Sequence, residues 1–222
     1  MRQSDRPTRL VFVRHGHAEV AQNKIVGGHL GCTGLTDLGR RQTTALRDRL
    51  VAAATPVDGI VTSVLPRAIQ TAEILATGLG VDPLDVPQLC GLCERHPGEG
   101  DGLSWDVFVE RYGASDPFLD PDRPLSPGGE SYRDLLSRVS TVVEQLSQEH
   151  RGKTLLVVSH GGVILAATLT LLGLEPRWLA PELANTSVTE WVRNRDGIWL
   201  LGRFNDAAHL ESRRLYVREQ YQ

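Results

Sequence analysis

Apolar positions along this chain alternate between unbroken short runs and helical spacing. RLVFVRH, residues 9–15, is a β-branched and aromatic run that halts at Arg14 and His15, which predicts a buried strand. LTDLGRRQTTALRDRLVAA, residues 35–53, repeats Leu46, Leu50 and Ala53 on one helical face behind Thr36, an N-cap residue type. VDGIVTS, residues 57–63, predicts a second buried strand. LPRAIQTAEILATGL, residues 65–79, predicts a helix with Pro66 in its first turn and Ile69, Ala72 and Leu79 on one face. Residues 130–150 restore helical spacing through Leu135, Val139, Val142 and Leu146. KTLLVVSH, residues 153–160, is a third strand that leads into another helix, and two later strands are expected near residues 186–193 and 197–204. This βαβα alternation predicts an α/β fold with a mostly parallel central sheet.

One segment breaks the rhythm. Residues 90–129 are rich in Gly, Pro, Asp and aromatics, too long and too punctuated for a simple connector. They predict a lid of loops carrying one short helix near SWDVFVERYG, residues 104–113, over a single domain spanning 1–222. Within it, Trp105, Phe108, Tyr112 and Phe118 either roof a pocket or pack the lid helix onto the domain, and both readings stay open.

Composition narrows the classes. With 222 residues, 41% hydrophobic and 23% charged, the chain is long enough for a proper core. A formal net charge of -3 offers no global field for nucleic acid or an anionic membrane, so neither is an expected partner, and any anion must be captured locally. The polar opening MRQSDRPTRL lacks the apolar stretch of a secretory signal, which gives a cytoplasmic expectation. Residues 155–174 have the length of a membrane span but carry Ser159, His160 and two glycines mid-way, so they predict a strand, a turn and a core helix. The three cysteines argue against a disulfide framework. Cys90 and Cys93 form a C-x-x-C followed by His96, but no second C-x-x-C and no fourth ligand is evident, so neither a metal nor a redox role is expected.

The chemistry lies where three strands run out. The first ends in RHG, the second in TSVLPR and the third in SHGG, and carboxyl ends of parallel strands share one sheet edge where ligands bind. Arg14, His15, Ser63, Arg67, Ser159 and His160 are therefore expected to converge. Two guanidiniums, a histidine at a helix N-terminus and the free N–H groups of Gly161 and Gly162 suit a compact dianion such as phosphate. Neighbouring positive charge also favours a neutral imidazole, a competent nucleophile toward phosphorus. Gly16 is expected to let the backbone turn without a side chain blocking the pocket.

With these residues in view, the chain resembles the histidine phosphatases, the phosphoglycerate mutase-like superfamily, over nearly its whole length. VRHG matches the opening motif, LTDLGRRQ the first helix, SVLPRAIQTA the arginine motif, PGGESYRDLLSRV the later helix, VVSHGG the second histidine motif and FNDAAHL a C-terminal element. The resemblance implies a three-layer αβα sandwich. It also implies a phosphohistidine on His15, with Arg14, Arg67 and His160 holding the phosphoryl oxygens beside Gly161. By the same resemblance Glu94 is the general acid, opening the loop ERHPGEGDG with Gly98 at its turn and Asp101 and Gly102 at its end. Glu99 is left as a solvated neighbour. No metal and no cofactor are implied, since the arginines and His160 supply the positive charge.

This sequence departs from the family pattern in places. His17 and Ala18 follow the glycine where glutamate and threonine are usual, Ala21 falls where an asparagine is expected, and Asn23 fills that substrate-binding role only if the loop carries two extra residues. IVGG, residues 25–28, lacks an arginine and a glutamine common there. The reading is a metal-independent phosphomonoester hydrolase acting on a small phosphorylated metabolite. Two alternatives stand beside it: a 2,3-bisphosphoglycerate-dependent phosphoglycerate mutase, or a non-catalytic regulatory member of the fold. Arg95, His96 and Arg123 are candidates for a second anionic group. The assembly is open, a homodimer included.

Overall fold

Why the first strand reads as continuously apolar becomes plain in a computed structural model, which describes residues 6–114, 116–117, 119–175, 181–211, 213 and 215–216. Strand β1 (Thr8–Arg14) is the middle of a five-stranded sheet and is covered on both faces, so its central positions Leu10–Val13 are all apolar rather than alternately so. Leu10 and Phe12 point into one core with Leu155 and Val157, whereas Val11 and Val13 point into the other with Leu156 and Val158.

In chain order, β1 is followed by α1 (Glu19–Gln22), α2 (Asp37–Ala52), β2 (Gly59–Thr62), α3 (Pro66–Leu79), α4 (Trp105–Tyr112), α5 (Tyr132–Glu149), β3 (Thr154–Ser159), α6 (Gly161–Leu172), β4 (Val188–Arg193), β5 (Trp199–Asp206) and α7 (Ala208–Glu211). The sheet order is β2-β3-β1-β4-β5; β2, β3 and β1 run parallel, while β4 and β5 are antiparallel additions. Helices α2 and α3 pack together on one face and α5 and α6 on the other, giving the expected three layers. The register pairs Arg14 with Ser159 and Thr62 with Val158. Three strands therefore end level at one edge.

Local rules account for most helix boundaries. Thr36 caps α2 by accepting from the Gly39 N–H at 3.1 Å, and Pro66 opens α3 at a position where no N–H is needed. Ser131 and Asp134 form a capping box at the start of α5, whose Leu135, Val139, Val142 and Leu146 are all buried. The span-length apolar stretch divides into β3 and α6, and among the described residues no helix is long and apolar enough to cross a membrane.

Two helical faces differ from the sequence expectation. Ala53 is the exposed C-cap of α2, one residue past its last turn. On α3 the buried stripe is Arg67, Ala68, Thr71, Ala72, Leu75 and Ala76, with Ile69 and Leu79 at its margins. Ala72 lies on the expected face and Leu79 packs at its edge, but the stripe is centred on Ala68, Ala72, Leu75 and Ala76, which share one core with Leu46 and Leu50 of α2.

Residues 90–129 hold short 3-10 turns at Cys90–Leu92 and Gly98–Gly100 and the helix α4, capped by Ser104. Phe108 is buried against Gly100, and it stacks on Trp105 with centroids 5.4 Å apart. Phe108 thus packs the helix onto the acid-loop turn. Phe118 lies outside the described residues.

Candidate active site

Just beyond the paired ends of β1 and β3, the chain delivers His15 and His160 side by side, their ring centroids 5.1 Å apart and tilted by 59°. The His15 N–H donates to the Ser159 carbonyl at 2.9 Å, so the sheet's own ladder fixes the first imidazole. Its Nδ1 lies 2.7 Å from the Gly16 carbonyl oxygen, an acceptor only, so Nδ1 carries the proton and Nε2 keeps its lone pair. Arg67, in the first turn of α3, donates from Nε to that Nε2 at 3.1 Å and from Nη1 to the Gly27 carbonyl at 2.8 Å.

Arg14, His15, Arg67 and His160 are all buried, and their protonation follows from that. Burial first, then the Arg67 and Arg14 charges, holds His15 well below the usual histidine range. His160 is pushed the same way by burial, Arg67, His15 and Arg14. Both rings are therefore neutral near pH 7. Ser63, at the end of β2, meets His160 Nε2 at 2.8 Å, while His160 Nδ1 is buried without a hydrogen-bond partner. With the Ser63 hydroxyl donating, Nδ1–H is the donor left for an anion.

The fourth wall is the N-terminus of α6. A Cβ built on Gly161 would stand 3.6 Å from Arg14 Nε, and one on Gly162 would fall 2.1 Å from Glu94 Oε1. A side chain at 162 would therefore displace the Glu94 carboxylate from the helix start. Glu94 accepts from the Gly162 N–H at 3.0 Å and from the Arg95 N–H at 3.1 Å, so it sits at the positive end of the helix. Arg14, Gly161 and Gly162 therefore meet at one helix start, as the strand-end argument expects, and Glu94, singled out by the family resemblance, joins them there.

Other expected residues lie elsewhere. Asn23 is exposed at the C-cap of α1, and no described contact links it to this cluster. Gly16 needs no side chain for a different reason than pocket access: a Cβ there would lie 2.5 Å from the Gly39 carbonyl oxygen, because the start of α2 presses on it. His17 turns its Nδ1 to Thr36 Oγ1 at 3.0 Å and its N–H to Gln42 at 2.9 Å, joining the α2 cap. Glu99 is exposed, as expected.

Several supporting contacts escape sequence reasoning, even where the residue itself, like Asp101, stands in a named motif. Asp101 accepts from the N–H groups of Gly28, Leu30 and Gly31 at 2.8–3.0 Å, tying the loop after α1 to the acid loop. Arg138 on α5 grips Glu130 through two 2.7 Å bonds and donates to the carbonyls of Gly91 and Cys93, both at 2.9 Å. Behind β1, the Thr186 N–H donates to the Arg14 carbonyl at 3.0 Å, and Thr186 Oγ1 meets His209 Nε2 at 2.9 Å. Apart from the Arg138–Glu130 pair, eight positions apart, these contacts join residues more than twenty positions apart, and only capping-type spacing leaves a local signal.

The model of the histidine phosphatase superfamily (branch 1) matches residues 10–207. A metal-independent phosphoserine phosphatase of Arabidopsis thaliana is 32% identical over 209 residues, 92% of this chain and 84% of that protein. A 2,3-bisphosphoglycerate-dependent phosphoglycerate mutase of Brucella anthropi is 34% identical over 184 residues, 81% of this chain and 88% of that one. Among solved structures, a mycobacterial glucosyl-3-phosphoglycerate phosphatase superposes with a TM-score of 0.74 at 28% identity, covering 89% of this chain and 99% of its own.

Proposed function

The chain belongs to the histidine phosphatase superfamily, branch 1, and from that premise we propose that it hydrolyses a small phosphomonoester through a phosphohistidine on His15. The observation that carries the reading is the His15 ring itself. Its Nδ1 proton is held by the Gly16 carbonyl and its Nε2 lone pair is turned to Arg67, with the Arg14 charge also acting on the ring, so the nucleophile is oriented and neutral where a phosphoryl group would be drawn in.

In the first step His15 Nε2 attacks phosphorus in line, the N–P bond forms, and the ester P–O bond breaks as Glu94 gives its proton to the departing oxygen. In the second, Glu94 takes a proton from a water whose oxygen attacks phosphorus, and the N–P bond breaks to release inorganic phosphate. Arg14, Arg67 and His160 Nδ1–H stabilise charge on the equatorial oxygens, the kind of contribution that often dominates such catalysis. Each of these side chains is supplied by the protein, so no metal enters the scheme.

Hydrolysis is favoured over mutase chemistry because the chain's lysines are Lys24 and Lys153, which leaves the lid, residues 90–129, without one to hold a bisphosphate. Of the arginines and histidine considered for a second anionic group, Arg123 bonds the Tyr112 carbonyl at 2.6 Å and His96 faces Glu130 and Cys90. Arg95 keeps that role, with its Nη1 buried and lacking a hydrogen-bond partner. The substrate class is a small phosphorylated metabolite with a second negative group, such as a phosphorylated hydroxy or amino acid.

The test sets phosphate release from a panel of phosphomonoesters, phosphoserine and glucosyl-3-phosphoglycerate included, beside isomerisation of 3-phosphoglycerate with and without 2,3-bisphosphoglycerate. Release from at least one panel member that exceeds isomerisation supports the hydrolase. Primer-dependent isomerisation faster than any release would establish the mutase alternative, and inactivity toward every substrate the non-catalytic one.

A further inference from the structure

The C-x-x-C-x-x-H segment, without an evident fourth ligand in the sequence, acquires one in the fold. Cys90 and Cys93 sit at either end of a tight turn closed by the Cys93 N–H to Cys90 carbonyl bond at 3.0 Å, and His96 follows one short step on. His29 arrives from the loop after α1, 61 positions before Cys90. One donor atom from each of His29, Cys90, Cys93 and His96 lies within 4.8 Å of all the others. The Cys90 sulfur is 3.9 Å from His29 Nε2 and 3.7 Å from His96 Nε2, and both cysteines are free. Tetrahedral zinc with ordinary Zn–S and Zn–N lengths separates its donors by about 3.3–3.8 Å, so small side-chain rotations bring the set into place.

The surroundings are those of a built site. His96 directs Nε2 to the cluster while its Nδ1 faces Glu130 Oε1 at 3.7 Å, the carboxylate-histidine arrangement that orients a metal-bound imidazole. Arg138 fixes both that carboxylate and the carbonyls of Gly91 and Cys93, which sets the turn carrying the thiols. Asp101 fixes the backbone on either side of His29 through the N–H groups of Gly28 and Leu30. Ser63 Oγ lies 3.5 Å from the Cys93 sulfur.

We propose that His29, Cys90, Cys93 and His96 form a structural Cys2His2 zinc site beside the active site. Two thiolates balance the charge of the ion, binding releases one proton from each thiol, and four protein ligands leave no position for a reacting water. Sulfur with imidazole suits zinc over magnesium or calcium, which take oxygen. Bound there, the ion clamps the His29 loop to the segment that continues directly into Glu94, and through Cys93 and Ser63 it backs His160.

The test uses the full chain, reduced and stripped with a chelator, then titrated with Co2+ and with Zn2+. The site predicts one equivalent of Co2+ per chain with tetrahedral visible bands and sulfur-to-cobalt charge transfer, both abolished by one equivalent of Zn2+. His29→Ala and Cys90→Ser alter exposed side chains. With circular dichroism showing the fold retained, each is expected to weaken Zn2+ binding tenfold or more, and Zn2+ should raise the melting temperature of the unsubstituted protein only. Absence of uptake, an octahedral cobalt spectrum without charge transfer, or undiminished affinity in both variants overturns the site.

Discussion

A general acid is revealed by what it is asked to protonate. Glu94 lies at the start of α6, within hydrogen-bond reach of the Gly162 N–H, and the proposed scheme needs its proton only when the departing oxygen is basic. In Glu94→Gln the hydrolysis of an alkyl phosphate should therefore fall by about 10²–10⁴. Nitrophenyl phosphate, whose leaving group departs without help, should lose far less. Equal losses on both substrates in steady-state assays would remove Glu94 from this role. The strand-end residues Arg14, His15, Arg67 and His160 were legible in sequence because parallel strands must end together, so their neighbourhood followed from topology. Asn23 was not, because a shift of two positions within a loop leaves no pattern to measure. His29, Asp101 and Arg138 act through contacts across the fold, and nothing local to each announces its partner.

At the scale of elements, the acid loop depends on one backbone conformation. Gly98 has a φ of 67°, and a Cβ there would fall 2.3 Å from the Gly129 nitrogen and 2.4 Å from the Pro127 carbonyl oxygen. Gly98→Ala meets both the left-handed conformation and a backbone collision, so a destabilisation of about 1–3 kcal/mol is expected, with reduced kcat as the loop carrying Glu94 shifts. Urea unfolding and steady-state kinetics check it; a stability within error of the unsubstituted protein would show that the loop repacks freely. Strands and long helices were readable from sequence because burial on both faces and capping residues are local signals. The inner face of α3 was not. Its buried stripe shares one core with Leu46 and Leu50 of α2 and is made of Ala68, Ala72 and Ala76 beside Leu75, so small residues carry much of it and side-chain size alone does not mark it.

Across the whole molecule, buried neutral histidines link stability to acid. Burial, aided by Arg49, pushes His209 from its usual 6.5 down to about 4, and His15 and His160 are lowered as well. Above pH 6.5 the folded and unfolded forms are both neutral at these rings. Below it the unfolded chain binds protons that the fold refuses, so stability falls as pH drops from 6.5 toward the folded values. For His209 this amounts to about 3 kcal/mol by pH 4. His209→Gln should lose less of its urea midpoint than the unsubstituted protein between pH 6.5 and 4.5, and parallel profiles would contradict the assignment. The same ring touches Thr186, whose N–H holds the Arg14 carbonyl, so the C-terminal element supports the site from behind the sheet.

The central claim is that phosphorus passes through His15. Brief reaction with a 32P-labelled phosphomonoester that the protein turns over, followed by rapid quenching and peptide mapping, tests it most directly. The account predicts an acid-labile, base-stable label on His15, absent from His15→Ala, whose turnover should fall at least 10³-fold, about 4 kcal/mol of barrier. A label on serine or aspartate, or near-normal turnover by His15→Ala, would contradict it.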